Sequence, residues 1–336
     1  MRQTLTILED SFRLLRARKL FWVVTGISLL VGFLYAAVGF NEEGLTFLSF
    51  QVLENELLTK GSPFSKMFYL LLFTNLIIPH WLGFLAVLLV ILTSCSVFPE
   101  LMKEGSFELV LSKPVSRLRI FFVKYVGMLG FMAIPLTLFC LIVFLAMGLR
   151  AEAWKVEVFL AVPLLTFVFS TLYSFGVLVG VWTRSTLFAL LATLLLWGFC
   201  FLVHSVELFS YGQIKMANAG IVTEGFVPAP TGVKQEVSEG YLNYYSKLRK
   251  GTAIFPKPRK TTLLIKRLLI FDDELGPMAG VSLLGVGAGE PVEGLMKEAE
   301  VKAEKRMSLA EILVPSAVFQ IVMLGAAGWG FARRDF

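Results

Sequence analysis

His80 and His204 are the chain's only imidazoles, and Glu207 lies three residues after the second. A histidine and a carboxylate one helical turn apart share a face, and such a pair can ligate a metal or relay a proton. Each histidine, however, falls near the end of an apolar run, where the cost of an ionisable group is small. The pair therefore reads as interfacial. The three cysteines, Cys95, Cys140 and Cys200, lie in three different apolar runs. That is neither a disulfide framework nor a CxxC site, and they read as small buried hydrophobes. The eleven methionines are scattered, whereas copper transport wants soft ligands clustered along a pathway. Intramembrane proteolysis needs a Ser-His pair or twin aspartates, and no Asp lies inside an apolar run. The stretch GVGAGEPVEG, from Gly285, lacks the Gly-Lys-Ser/Thr ending of a phosphate loop and reads as a connector. No catalytic, metal or cofactor residues are expected, and ATP hydrolysis by this chain is not expected either.

What remains is a chain built for lipid. Of its 336 residues 56% are apolar and only 17% charged, well below the quarter typical of soluble domains. Leu20–Phe40, Tyr125–Leu149, Val158–Thr183, Ser185–Val206 and Ile312–Ala332 carry no charge. Each is long enough at about 1.5 Å per residue to cross roughly 30 Å of hydrocarbon. A sixth run, Met67–Phe98, is too long for one straight crossing. Pro79 and His80 are read as dividing it, with Pro79–Phe98 as the span and Met67–Ile78 as a re-entrant or interfacial lead-in. The first run and its charged lead-in are both too long for a cleavable signal. The expected fold is an all-α polytopic membrane protein with six transmembrane helices.

Four divisions follow. Residues 1–19 form an amphipathic interface helix, with Leu5, Leu8, Phe12 and Leu15 on one face and Glu9, Arg13 and Arg16 on another. Residues 20–206 hold spans one to five and a cytoplasmic segment at 99–119. Residues 207–308 are a large extracytoplasmic segment, and residues 309–336 are span six and its tail. Within 207–308, Tyr241–Lys250 and Thr261–Phe271 are helix candidates, the second resting on the outer leaflet with Lys266 and Arg267 snorkelling. Small residues at four-residue spacing (Ser28, Gly32 and Ala36; Ser170 and Ser174; Gly176 and Gly180) mark close helix packing, within the chain or at a dimer interface. Thirteen basic residues fall on the side of the N-terminus against four in the opposite short loops, which places both termini in the cytoplasm. Fourteen more lie in 207–308, a segment long enough to escape that rule.

The charge between spans two and three is the most specific feature. In FPELMKEGSFELVLSKPVSRLRIFFVKYVG, Glu100, Glu104 and Glu108 recur at four-residue intervals and make an acidic ridge on one helical face. Pro114 ends that helix and is tolerated in the first turn of the next, with Ser112 placed to cap it. Arg117, Arg119 and Lys124 then fall at headgroup depth. The spacing describes a short cytoplasmic surface helix, a hinge and an anchored span, a shape suited to docking a soluble partner.

These residues resemble the signature of ABC-2 type transporter permeases, and most closely the subgroup associated with multi-copper enzyme maturation. The matching elements are Glu104-Gly105, the apolar Phe107–Leu111, Ser112-Lys113-Pro114, Ser116-Arg117 and Lys124–Gly127. The C-terminal Phe331–Phe336, with Arg333 and Arg334, is similar to the family's ending. The resemblance implies a permease in the bacterial cytoplasmic (inner) membrane that moves or exports a substrate. Two copies of a separate cytoplasmic ATPase, which binds the ATP, would drive it. It further implies pairing with a second permease, as a homodimer. Glu100, Glu104, Gly105, Glu108, Lys113, Pro114 and Arg117 would form the ATPase-coupling segment, and Arg13, Arg16, Arg119, Lys124, Arg333 and Arg334 the membrane-interface anchors. Membrane lipid is the remaining expected partner, and nucleic acid is not one. The long, charged segment 207–308 departs from the family's short re-entrant pair. A reading of another class is a non-transporting scaffold whose basic external segment binds an anionic partner or lipid. A secondary transporter would show inverted repeats, and the sequence has no convincing internal symmetry.

Overall fold

The computed structural model describes residues 19–48, 50–54, 59–102, 116–218, 221–224, 227–230, 239–252, 255–269 and 308–333. The expected N-terminal interface helix, with Arg13 and Arg16, lies outside them. The described chain is mostly helical, and five helices are long and apolar enough to cross a membrane. They are α2 (Pro63–Leu101), α3 (Arg117–Ala151), α4 (Val156–Thr183), the part Thr186–Tyr211 of α5 (Thr186–Asn218) and α8 (Leu309–Arg333). A sixth apolar helix, α1 (Lys19–Ala37), is shorter, with Phe21–Ala37 as its apolar part. Its nineteen residues reach about 28 Å, close to the hydrocarbon thickness. This is a multi-pass membrane protein.

Consecutive helices run antiparallel. One end of the bundle, here called proximal, gathers Lys19, Leu101, Arg117, Thr183 and Arg333. The distal end gathers Ala37, Pro63, Ala151 and Leu309. This mostly helical bundle is consistent with the all-α expectation. The chain after α1 adds a short antiparallel meander of β1 (Val38–Phe40), β2 (Gly44–Phe47) and β3 (Phe50–Glu54) that was not anticipated from the sequence. Val38 pairs with Phe47 and Phe40 with Leu45. Its first turn is closed by Asn41, whose Oδ1 accepts from the amides of Glu43 and Gly44 at 3.1 and 2.8 Å. The Tyr69 hydroxyl donates to the Val38 carbonyl, which ties the sheet to α2. A second hairpin, β4 (Ile221–Glu224) with β5 (Val227–Pro230), follows α5.

Pro79 does not divide the second apolar run. The helix continues from Pro63 to Leu101, with a π-helical stretch over Phe73–Leu85. A proline lacks the amide donor and its ring clashes with the carbonyl four residues back. Widening the turn to an i→i−5 pattern, seen in the Ala86 amide bonding to the Trp81 carbonyl, accommodates both. At about 58 Å, α2 is roughly twice the hydrocarbon thickness.

α4 is the central helix, touching α2, α3, α5, α8 and α7 (Pro258–Leu269). Its small residues permit this. A Cβ on Gly176 would meet the Thr193 hydroxyl at 2.7 Å, and one on Gly180 would meet Pro99 at 3.2 Å. Gly32 of α1 lies equally close to Ile142 and Phe139 of α3. The four-residue spacing of small residues thus serves packing within the chain, the route by which helices associate where lipid supplies no hydrophobic drive.

The segment after α5 carries the largest surprise. α5 continues helical to Asn218, and α6 (Glu239–Thr252) packs on it. α7 does not rest on a membrane surface: Lys260, Thr261, Thr262, Leu264 and Ile265 are all buried, and Ile265 belongs to the main apolar cluster. Lys266 donates to Asn75 Oδ1 at 2.9 Å instead of reaching toward headgroups. Helix α7 enters where α2 is widened. A Cβ on Gly83 would lie 3.2 Å from Thr262 Cγ2 and 3.9 Å from Thr262 Cβ. That spacing is within the range of a disulfide. Gly83→Cys with Thr262→Cys is therefore expected to cross-link on mild oxidation, read as one linked peptide by mass spectrometry. An unlinked pair would remove α7 from this cleft.

Candidate functional site

The proximal end collects the residues that flank the acidic ridge. After a turn at Cys95-Ser96, α2 closes with Val97–Leu101, and Glu100 sits half-buried in the first turn of that piece. Beyond Met102, the residues Glu104, Gly105, Glu108, Lys113 and Pro114 lie outside the described residues, as do Ser112 and Arg334. The chain is described again from Ser116, the extended N-cap residue of α3. Arg117 is the first helical residue, and its Nη1 donates to the Ala332 carbonyl in the last turn of α8 at 3.4 Å. Arg119 is exposed. Lys124, two turns further in, is only 7% exposed and lies inside the bundle. Arg333 stacks over Trp329 at 4.5 Å, an arrangement that suits an interfacial cation.

One aromatic cluster joins the end of α2 to the first turns of α3. Phe98, 1% exposed, lies 5.1 Å from Phe121 of α3, 6.3 Å from Tyr173 of α4 and 6.4 Å from Phe331 of α8. Phe121 and Phe331 are themselves 5.6 Å apart. Pro99 packs against Gly180 of α4. The close-packed rings thus join the end of α2 to α3, α4 and α8.

A polar relay lies deeper. The hydroxyls of Tyr125 (α3) and Ser170 (α4) are 2.8 Å apart, and Gln320 Nε2 (α8) donates to Ser170 Oγ at 2.6 Å. Hydrogen bonds of this kind between membrane helices are worth about 0.6–2 kcal/mol each. Sequence reasoning took Ser170 only as a small packing residue and assigned no role to Tyr125 or Gln320. The available signal was a glutamine in the middle of an apolar run.

At the distal end the structure brings together residues that the sequence kept apart. Glu207, on α5, accepts from Lys260 Nζ of α7 at 2.8 and 2.7 Å, and both side chains are buried. His204, 9% exposed, lies beside this pair. Arg259 donates to Ser205 Oγ at 3.2 Å and sits over the Phe201 ring. His80, in α2, is exposed and does not line this cluster; its Nδ1 lies against the Leu76 carbonyl.

Residues 5–262 match the family of ABC-2 family transporter proteins, well over half of the chain. The matched region runs from the N-terminal segment through the acidic ridge and five apolar helices and ends inside α7. No curated protein and no solved structure matches the chain. Several helices long and apolar enough to cross a membrane are what a permease of this kind requires, and the chain belongs to the ABC-2 family of transporter proteins.

Proposed function

We propose that this chain is the permease subunit of an ABC transporter in the bacterial inner membrane, driven by a separate cytoplasmic ATPase that grips residues 99–119. The family match carries this reading, since it includes the acidic ridge and the Lys-Pro break. Six crossings place both termini in the cytoplasm, with α1 as the first. The support for this orientation is the bias of the sequence, thirteen basic residues on the side of the N-terminus against four in the opposite short loops. Closure of the ATPases on ATP pushes the ridge Glu100–Leu111. Phe98, Pro99 and Arg117 hand that push to α2, α3, α4 and α8. Two permease copies assemble with two ATPases, and the apolar faces of α5 and α8, with Leu191, Leu195, Ile321 and Val322 exposed, meet lipid or the second copy. The likeness to the multi-copper enzyme maturation subgroup rests on residues 98–127 alone and forms part of this proposal.

Two measurements test it. The chain, co-expressed with a separate ABC ATPase, should purify with it as a complex whose mass gives two copies of each. Ser106→Cys should resist an impermeant maleimide applied to intact cells, whereas Ser238→Cys should react. A chain that purifies alone, or the reverse labelling pattern, removes the coupling or the orientation respectively.

A further inference from the structure

The cluster of His204, Glu207 and Lys260 lines a small cavity between α5, the end of α6, the loop before α7 and the start of α7. Lys257 and Arg259 add further charge to a wall that is otherwise largely apolar, with Val203, Phe255 and Pro256. Its volume is about 20 Å³, room for a single water-sized or halide-sized occupant.

Three observations decide which occupant the cavity favours. First, the charges do not balance. Among the described residues three cations, Lys257, Arg259 and Lys260, meet two carboxylates: Glu207, paired with Lys260, and Glu311, which acts on Lys257. The hydrogen bonds of Lys257 and Arg259 go to the Glu311 carbonyl at 3.2 Å and the Ser205 hydroxyl at 3.2 Å, with Arg259 over the Phe201 ring. Burial, and then the neighbouring Lys260 charge, pull the Lys257 ammonium below its usual range, as expected where positive charge is in excess. Second, His204 has both ring nitrogens buried and without a hydrogen-bond partner, although Lys260, Arg259 and Lys257 are its charged neighbours. A neutral imidazole always carries one N–H donor, and His204 is among the residues that line this cavity. Third, the cavity abuts the N-terminus of α7, where Pro258 and Arg259 open a twelve-residue helix whose dipole favours negative charge. A bound cation would add to the surplus of positive charge. Water would satisfy the imidazole and leave that surplus in place.

We propose that this cavity is a binding site for one small inorganic anion of chloride size, held between the His204 N–H, the Lys257 ammonium and the third N–H of Lys260. Such an anion joins α5 to α7 and completes the docking of the segment between spans five and six. Its affinity sets how firmly that segment is seated, independently of any ATPase.

The test uses the purified full chain in neutral detergent at constant ionic strength. Replacing gluconate by chloride should raise the thermal unfolding midpoint by about 2–4 °C once chloride is tenfold above its Kd. Bromide should act likewise and give an anomalous scattering peak beside His204. Lys257→Met, a half-buried position that tolerates the change, and His204→Leu should each abolish the chloride increment. If His204→Leu does not fold, Lys257→Met decides alone. Equal midpoints in chloride and gluconate, or an undiminished increment in the variants, would overturn the site. So would stabilisation by phosphatidylglycerol nanodiscs with none by chloride, which would assign the cations to a lipid headgroup.

Discussion

Glu207→Ala is expected to release α7 from the bundle. The substitution leaves Lys260 buried beside Lys257 and Arg259 with its carboxylate gone. Removing one partner of a buried ion pair typically costs about 3–5 kcal/mol. For a chain of this size that corresponds to a fall of about 4–7 °C in unfolding midpoint. The Gly83→Cys/Thr262→Cys cross-link should disappear in the same variant, because α7 no longer holds Thr262 against Gly83. Glu207→Leu with Lys260→Met is the control. It removes both charges, keeps the volume, and should restore the cross-link and most of the stability. A Glu207→Ala variant that still cross-links fully would show that α7 is held by its apolar face, Leu264 and Ile265, without help from the pair.

The second large effect is at the opposite end. Glu104→Lys reverses the central charge of the acidic ridge that is proposed to meet the ATPase. Disrupting a charge pair buried in an interface costs about 2–5 kcal/mol, which is about 30-fold or more in Kd. The ATPase should be lost on purification while the permease itself remains folded. Phe98→Ala is the informative contrast. It leaves the ridge intact and empties the ring cluster beneath it, where Phe121, Tyr173 and Phe331 meet. That variant should still bind the ATPase, with its ATP turnover no longer tied to transport. Retention of both binding and coupled turnover in Glu104→Lys would remove the ridge from the interface.

The two ends differ in how well they can be read from sequence. The apolar helices were plain, because in lipid each must satisfy its own backbone and so each declares itself by an uncharged run of sufficient length. Val158–Thr183 was expected and Val156–Thr183 is found. Small residues at four-residue spacing marked close helix contacts, and Gly32, Gly176 and Gly180 make them. The acidic ridge was legible as a motif, since its chemistry lies in consecutive residues. Its flanking ring cluster was not, because Phe98, Phe121, Tyr173 and Phe331 come from four separate helices.

The meander after α1 escaped notice because its strands are three to five residues long, too short for an alternating pattern to emerge. Pro79 was taken as a break because proline normally interrupts the helical ladder; a π turn re-routes those bonds, and only the packed partner reveals why. That partner is α7, whose LLIKRLL pattern looked like a surface helix in isolation. Hydropathy alone cannot separate a cationic helix resting on headgroups from one drawn into a bundle. The deciding interaction is between Glu207 and Lys260, fifty-three residues apart. The sequence by itself determined where the apolar helices lie and which charged stretch joins two of them, because both are local properties of consecutive residues. Which cation meets which carboxylate, and hence where the segment between the last two spans sits, was decided only by the fold, because charge pairing depends on distance in space.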